Sequence, residues 1–213
     1  GKVVAEEFPD VQFAVVNGAH TAPNLASIAM FDEQVAYLAG VVAARTTQSG
    51  KIGYIGGMEI PPVVRNGTGF EMGAQSVNPD VAVVKTYLGD FLDAAKGREA
   101  TLAMAEQGVD VIYYYVDQAM LGIQEAAGEH DIKLIGIIFD QHEMAPDLIL
   151  TSAIQDTSTA IMLTAKAAQE GNLEGEVVLY GLDSGAIGLA PFYGSVPAEL
   201  EEEVQRIQEQ IIS

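Results

Sequence analysis

Short runs of β-branched and aromatic residues alternate along the chain with longer stretches whose apolar positions recur every three or four residues. The runs Val11–Val16, Lys51–Ile55, Val81–Tyr87, Val109–Val116, Lys133–Ile138 and Leu148–Ala153 are short, and most are followed by Gly, Asn, Asp or Pro. They predict buried strands. Between them, Asp32–Ala44, Val63–Val77, Leu92–Gln107, Ala119–Glu129 and Thr157–Glu170 carry the helical period. This alternation predicts an α/β fold built on parallel sheets. Asp156 and Thr157 supply N-cap chemistry, while Gly108 and Gly171 stand just past helix ends, where positive φ is easily accepted. Val177–Leu182 and Gly185–Leu189 lie too close together for a crossover helix and predict an antiparallel pair turning at Asp183-Ser184. After Pro197, Ala198–Ile212 places Leu200, Val204, Ile207 and Ile211 on one face, which predicts a docked helix with a solvated acidic back. Lys2–Phe8 reads as the last turns of a helix, although a parallel α/β domain does not open there. The expectation is that an N-terminal βα portion is missing from this chain.

Composition narrows the function classes. With 213 residues, 49% of them hydrophobic, the chain can bury a real core. Its 30 Asp and Glu against 10 Lys and Arg leave a formal charge of −20, which repels nucleic-acid phosphates and anionic membrane surfaces. No nucleic-acid partner is expected. The absence of Cys removes disulfides, thiolate metal sites and a cysteine nucleophile. No window approaches eighteen apolar residues, and Gly1–Glu7 lacks the regions of a signal peptide, so the expectation is a mature or trimmed chain.

Local motifs carry little chemistry. Ser49-Gly50-Lys51 lacks the earlier Gly of a phosphate loop and is followed by Ile52. His142-Glu143 meets Pro146 where a zinc-protease helix needs its second His. Gly181-Leu182-Asp183-Ser184-Gly185 sets Ser one position late for a nucleophile elbow. Neither a metal, a cofactor nor an enzyme activity is expected. His20 and His130 are expected to be solvated, and the sequon Asn66-Gly67-Thr68 falls inside a predicted helix. What remains is a set of polar and aromatic residues just after predicted strands, where open parallel sheets bind ligands. Gly56-Gly57-Met58-Glu59, Asp90-Phe91, Asp117-Gln118 and Asp140-Gln141 each follow one. Any one Asp there also suits a cap or a turn, but four such sites in register outline a cleft.

Several stretches are recognisable together. Val35-Ala36-Tyr37-Leu38-Ala39-Gly40-Val41, Lys51-Ile52-Gly53-Tyr54-Ile55-Gly56-Gly57-Met58, Gly69-Phe70-Glu71-Met72-Gly73-Ala74, Ser76-Val77-Asn78-Pro79-Asp80 and Leu150-Thr151-Ser152 occur in that order. With them the chain resembles the basic membrane protein family of substrate-binding lipoproteins. The resemblance implies a type I periplasmic-binding fold of two α/β lobes that close over a small molecule, with an ABC transporter permease as partner. It implies an extracytoplasmic location, lipid-anchored through a segment absent from this chain, and a purine ligand, since characterised relatives look like purine nucleoside receptors. On this mapping residues 1–48 and 150–190 form the first lobe, and 49–149 with 191–213 the second. In that family the missing N-terminal portion carries an Asp- and Asn-containing loop that walls one side of the pocket.

Carried over by position, Phe91 looks like the aromatic that stacks on the purine. Its ordinary alternative is a lobe-surface core residue. Asp117 sits where relatives have a Gly-rich turn and adds an acceptor for a purine N–H or amine, or else caps a helix. Glu33 resembles an acidic position near the hinge, or simply favours a helix dipole. Gly57 and Met58 join the ligand set with Asp140. Nucleoside-binding relatives read Gly-Val-Asp-Ser-Asp-Gln where this chain has Gly136-Ile137-Ile138-Phe139-Asp140-Gln141, so Ile138 replaces a ribose ligand. A sugar-contacting Lys aligns near Gln155. Each such charged hydrogen bond is worth about 1.5–3 kcal/mol, and losing two weakens ribose recognition by roughly a hundredfold or more. The expected ligand is therefore a free base such as adenine rather than a nucleoside. The alternative is a cytoplasmic ligand-sensing regulator that uses the same fold.

Overall fold

The computed structural model describes residues 1–18 and 20–213. The helices are α1 (Lys2–Glu7), α2 (Asp32–Thr46), α3 (Pro61–Val77), α4 (Ala94–Glu106), α5 (Met120–Glu129), α6 (Thr157–Gln169) and α7 (Ala198–Ile212). The strands are β1 (Phe13–Val16), β2 (Leu25–Met30), β3 (Lys51–Gly56), β4 (Ala82–Tyr87), β5 (Val111–Tyr115), β6 (Lys133–Ile138), β7 (Ile149–Gln155), β8 (Val177–Tyr180) and β9 (Ile187–Leu189). The α/β alternation expected from periodicity is present, and β6 has the predicted bounds. Asp156 caps α6, its carboxylate accepting from the Thr159 N–H at 3.1 Å and the Thr159 hydroxyl at 2.6 Å.

The chain forms two compact units, Gly1–Phe31 with Gln155–Ile187, and Asp32–Ile154 with Gly188–Ser213. The first holds a three-stranded parallel sheet in the order β1-β2-β8. Ala160 of α6 closes on Ile28 and Ala186, and Val16, Met30 and Tyr180 pack around them. Sequence periodicity does not mark its central strand, β2. Leu25-Ala26-Ser27-Ile28-Ala29-Met30 holds one β-branched residue, so its strand state rests on hydrogen bonding to β1 and β8 rather than on propensity.

The second unit is a six-stranded sheet in the order β4-β3-β5-β6-β7-β9, with parallel pairing from β4 through to β7. Right-handed crossovers put α3 on one face and α4 and α5 on the other, because the chain reverses direction across the sheet after β4. α2 packs along α3, and α7 docks on α2 through buried Leu200 and Val204, with an Arg45–Glu203 ion pair at 2.6 Å beside them. Glycines set the α2–α3 spacing. A Cβ on Gly69 would lie 2.5 Å from the Glu33 carbonyl oxygen, one on Gly40 2.7 Å from the Ala74 nitrogen, and one on Gly73 2.7 Å from the Tyr37 carbonyl carbon. Facing Gly97 and Gly122 do the same for α4 and α5, each meeting a backbone carbonyl, of Ala119 and Ala94.

Two expectations are corrected. The family mapping assigns residues 32–48 to the first lobe, yet the glycine seam ties α2 to α3, so the division falls after Phe31, with the later ones after Ile154 and Ile187. The expected antiparallel pair of 177–182 and 185–189 does not form. β8 extends the three-stranded sheet beside β2 and β9 edges the six-stranded sheet beside β7, with the Leu182–Ser184 turn and Gly185 at φ 72 between them. An isolated two-stranded hairpin is marginal, whereas each strand here joins a larger sheet.

Candidate functional site

In the six-stranded sheet β3 lies between β4 and β5, so the connections leaving β3 and β5 run to opposite faces and open a crevice at their carboxyl ends. Such switch points are where open α/β sheets bind ligands. Three loops meet there and are stitched by backbone hydrogen bonds. After β3, the Gly57 N–H donates to the Tyr115 carbonyl at 2.9 Å, and the Asp90 N–H, after β4, donates to the Gly57 carbonyl at 3.0 Å. After β5, the Asp117 and Ala119 N–H groups both donate to the Phe91 carbonyl, at 3.0 and 3.1 Å. The Phe91 ring lies directly against Gly57; a Cβ there would come within 2.6 Å of ring carbon Cε1. Only glycine admits the ring at that height.

Beside this junction lies a cleft of about 390 Å³ lined by Leu92, Val116, Asp117, Ile137, Ile138 and Phe139, among others. Its walls are mostly apolar, with the amides of Gln118 and Gln141 among them, and the exposed Asp117 brings the carboxylate. Asp117 does not cap α5, whose N-cap is Ala119, so its carboxylate is left for other partners. Ile138, the residue that replaces a carboxylate in the resemblance, is the centre of a tight turn, with the Phe139 N–H donating to the Ile137 carbonyl at 2.9 Å. Its φ is 73, a costly conformation for a β-branched residue, and the residue is 37% exposed. Gln141 holds the turn from beneath: it is buried, its side-chain amide donates to the Ile137 carbonyl at 2.8 Å, and its Oε1 accepts from the Tyr114 hydroxyl. A larger hollow of about 620 Å³ is lined by α6 and Glu170, from Ser158 onwards, along the flank of a single helix.

The remaining expected residues are dispersed. Met58 is exposed next to Gly57. Asp140 is engaged within the protein, accepting from the His142 N–H at 3.0 Å and the Tyr193 hydroxyl at 2.5 Å, while the Tyr193 ring stacks on His142 with centroids 4.1 Å apart. That hydrogen bond favours the protonated phenol and raises the Tyr193 pKa. Glu33 faces Arg65 at 3.9 Å rather than the cleft. Gln155 ends β7 and belongs to the first unit. Asn66, the sequon residue, is fully buried in α3, and His20 and His130 are exposed.

Sequence reading missed Asp32, one residue before Glu33. The Tyr115 hydroxyl donates to its Oδ2 at 3.4 Å, while its buried Oδ1 has no hydrogen-bond partner. Burial, reinforced by Glu33, pushes its pKa up to about 6. The signal in the sequence was an Asp at the first helical position, which more often marks an exposed helix start. Among the described residues no group of His, Asp and Glu is arranged to hold a metal, and no helix is long and apolar enough to cross a membrane.

Comparison with known proteins places these features. The chain is 31% identical over 97% of its length to a purine-binding protein of Brucella abortus, and 30% identical over 98% to an ABC transporter nucleoside-binding protein of Lactococcus lactis. It is 30% identical over its whole length to basic membrane protein A of Borreliella burgdorferi. It spans 57% of the length of the first of these, 64% of the second and 65% of the third. Among solved structures, a transcriptional activator of the comK gene from Bacillus halodurans superposes with a TM-score of 0.91 at 29% identity, covering 99% of this chain and 73% of that one. A solute-binding protein of an ABC transporter system from Aeropyrum pernix gives 0.77 at 28% identity, covering 98% and 65%. The family described as ABC transporter substrate-binding protein, PnrA-like, matches residues 2–213, and with its parallel-sheet α/β architecture and glycine-seamed helices the chain belongs to that Bmp family.

Proposed function

We propose that this chain is the ligand-binding part of an extracytoplasmic solute-binding protein that delivers a purine to an ABC importer permease and catalyses no reaction. The observation that carries the reading is the junction at the switch point, where Phe91, its ring seated on Gly57, accepts through its carbonyl from the Asp117 N–H, and Asp117 brings an uncommitted carboxylate to a mostly apolar cleft. A flat heterocycle needs an aromatic face and an acceptor for its N–H groups, and this junction offers both. A stacked ring contributes about 0.5–1.5 kcal/mol beyond its buried area. The names of the Brucella and Lactococcus relatives, purine-binding and nucleoside-binding, support the ligand class.

Within that class the reading is a free base such as adenine. Ile138 brings a branched apolar side chain to the cleft and would desolvate a sugar hydroxyl without pairing it. Asp140 is already taken by Tyr193 and His142, so it is not idle for a diol. Gln155, Glu33 and Met58 enter the ligand set only through the family resemblance. Attachment of the intact protein to the membrane by a lipid anchor belongs to the same proposal. The test is calorimetric titration of the intact protein with adenine, guanine, hypoxanthine, adenosine and inosine in parallel. Tighter binding of a base supports the reading. Tighter binding of a nucleoside refutes the free-base assignment while keeping the purine class, and no binding by any of the five refutes the purine reading.

A second reading, a cytoplasmic ligand-sensing regulator, is favoured by one observation, the 0.91 TM-score to the comK activator. Cell fractionation separates the two: recovery with the membrane or outside the cytoplasm supports transport, and recovery in the cytosol supports regulation.

A further inference from the structure

Asp32 is the first residue of α2, at the point where the chain passes into the second unit, and it sits in a buried polar cluster that the ligand reading does not use. Three atoms of this cluster are buried without a hydrogen-bond partner: Asp32 Oδ1, Asn66 Oδ1 and the Tyr113 hydroxyl. Asn66 and Tyr113 are fully buried. The Asn66 amide donates to the Asp32 carbonyl at 3.3 Å, and the Tyr113 hydroxyl faces the Asn66 side chain. Two of the three unsatisfied atoms are obligate acceptors when Asp32 is ionised, and the sole hydroxyl cannot serve both. What the cluster lacks is a donor hydrogen.

We propose that Asp32 takes up that hydrogen as a proton, and that its protonation regulates the ligand junction through Tyr115. Protonation turns one orphan acceptor into a donor amid acceptors and removes a poorly solvated charge. The same carboxyl holds the Tyr115 hydroxyl, whose own carbonyl receives the Gly57 N–H beneath Phe91. An ionised partner grips that hydroxyl roughly twice as strongly as a neutral one. Proton uptake therefore loosens the seat of the Phe91 loop. The groups facing Asp32 are Glu33 on its own helix, which favours the proton, Arg65 on α3, which opposes it, Tyr115 and Tyr113 on β5, and Tyr54 on β3. The raised pKa of Asp32 agrees with this balance.

The regulatory half rests on the ligand reading above, so the experiment has two arms. In the first, urea unfolding of the intact protein is followed from about pH 4 to pH 7.5 for wild type, Asp32→Asn and Tyr115→Phe. A carboxyl whose folded pKa lies above its unfolded value stabilises below the unfolded pKa and loses that contribution as pH rises through the folded one. From 3.8 to about 6 the folded-to-unfolded ratio of wild type falls by about a hundredfold relative to Asp32→Asn. Tyr115→Phe removes a bond to the ionised form and moves the step to higher pH. Parallel profiles for wild type and Asp32→Asn overturn the proton site. In the second arm, adenine and hypoxanthine are titrated at about pH 5 and about pH 7.5. Wild type binds about fivefold more weakly at the lower pH, while Asp32→Asn binds equally at both. A step in stability with no change in affinity overturns the coupling to the junction. Absence of binding by both bases at both pH values overturns the ligand reading and the coupling with it, and leaves the first arm to judge the proton site.

Discussion

Gly73→Ala adds one methyl group to α3, and the structure fixes both the sign and the size of its effect. The new Cβ would sit 2.7 Å from the Tyr37 carbonyl carbon and 2.8 Å from the Tyr37 Cα. These are backbone atoms of α2, and no rotamer change moves them aside. Ordinary carbon contacts need about 3.5–4.0 Å, so the helices must part by roughly 1 Å. Such a gap forfeits a quarter to a half of the dispersion energy of each contact along the seam, and overpacking alone costs about 1–3 kcal/mol. The expected loss is about 3 kcal/mol or more. With a urea slope near 2–3 kcal/mol per molar, the midpoint falls by about 1 M. Gly128→Ala is the matching control. It lies within α5, and its Cβ would meet only the end of Leu148 at 3.5 Å, an ordinary contact. There the helix gains the propensity difference of about 0.5–1 kcal/mol and the midpoint rises. A Gly73→Ala protein within about 0.5 kcal/mol of wild type, or two variants that shift the same way, would refute the backbone-contact account.

Phe91→Ala removes the ring seated on Gly57 and lowers affinity for the purine that binds in calorimetry by roughly threefold to tenfold, with no change in the urea midpoint beyond that of a half-buried aromatic. Unchanged affinity would place the ligand elsewhere. Asp117→Asn keeps the shape and removes the charged acceptor, weakening binding about tenfold by the same assay. Asp156→Ala removes the α6 cap and lowers the thermal midpoint. The bonds from Thr159 hold the Asp156 pKa below its ordinary value, so its contribution is present above that value and lost as acidification passes the lowered one. A wild-type-minus-variant difference that persists unchanged in strong acid would contradict this.

The glycine motifs that make the chain recognisable are chiefly packing devices. Gly40, Gly69 and Gly73 admit α2 to α3, whereas only Gly57 among the recognised glycines reaches the candidate site, through Phe91. Resemblance carried by such residues speaks for the fold more directly than for the ligand. The ligand argument rests on different positions, Asp117 and Ile138, that depart from the pattern of relatives.

Periodicity along the sequence determined the α/β class, eight of the nine strands and the helices that cover the sheets, because a buried strand and an amphipathic helix each impose their own spacing on apolar residues. It also placed Gly57, Phe91 and Asp117 at the ends of strands, where parallel sheets expose their loops. Tertiary structure alone decided the rest. β2 is a strand through its neighbours on both sides, and β8 and β9 part company because each completes a different sheet. Asp140 is spent on Tyr193, fifty-three positions away. Asp32 carries its perturbed carboxyl because α3 and β5 close over it, while Glu33, one step around the helix, remains beside Arg65 in reach of water. Sequence spacing fixes which face of an element a residue occupies, but desolvation and partnership are set by what the fold brings against that face from distant parts of the chain.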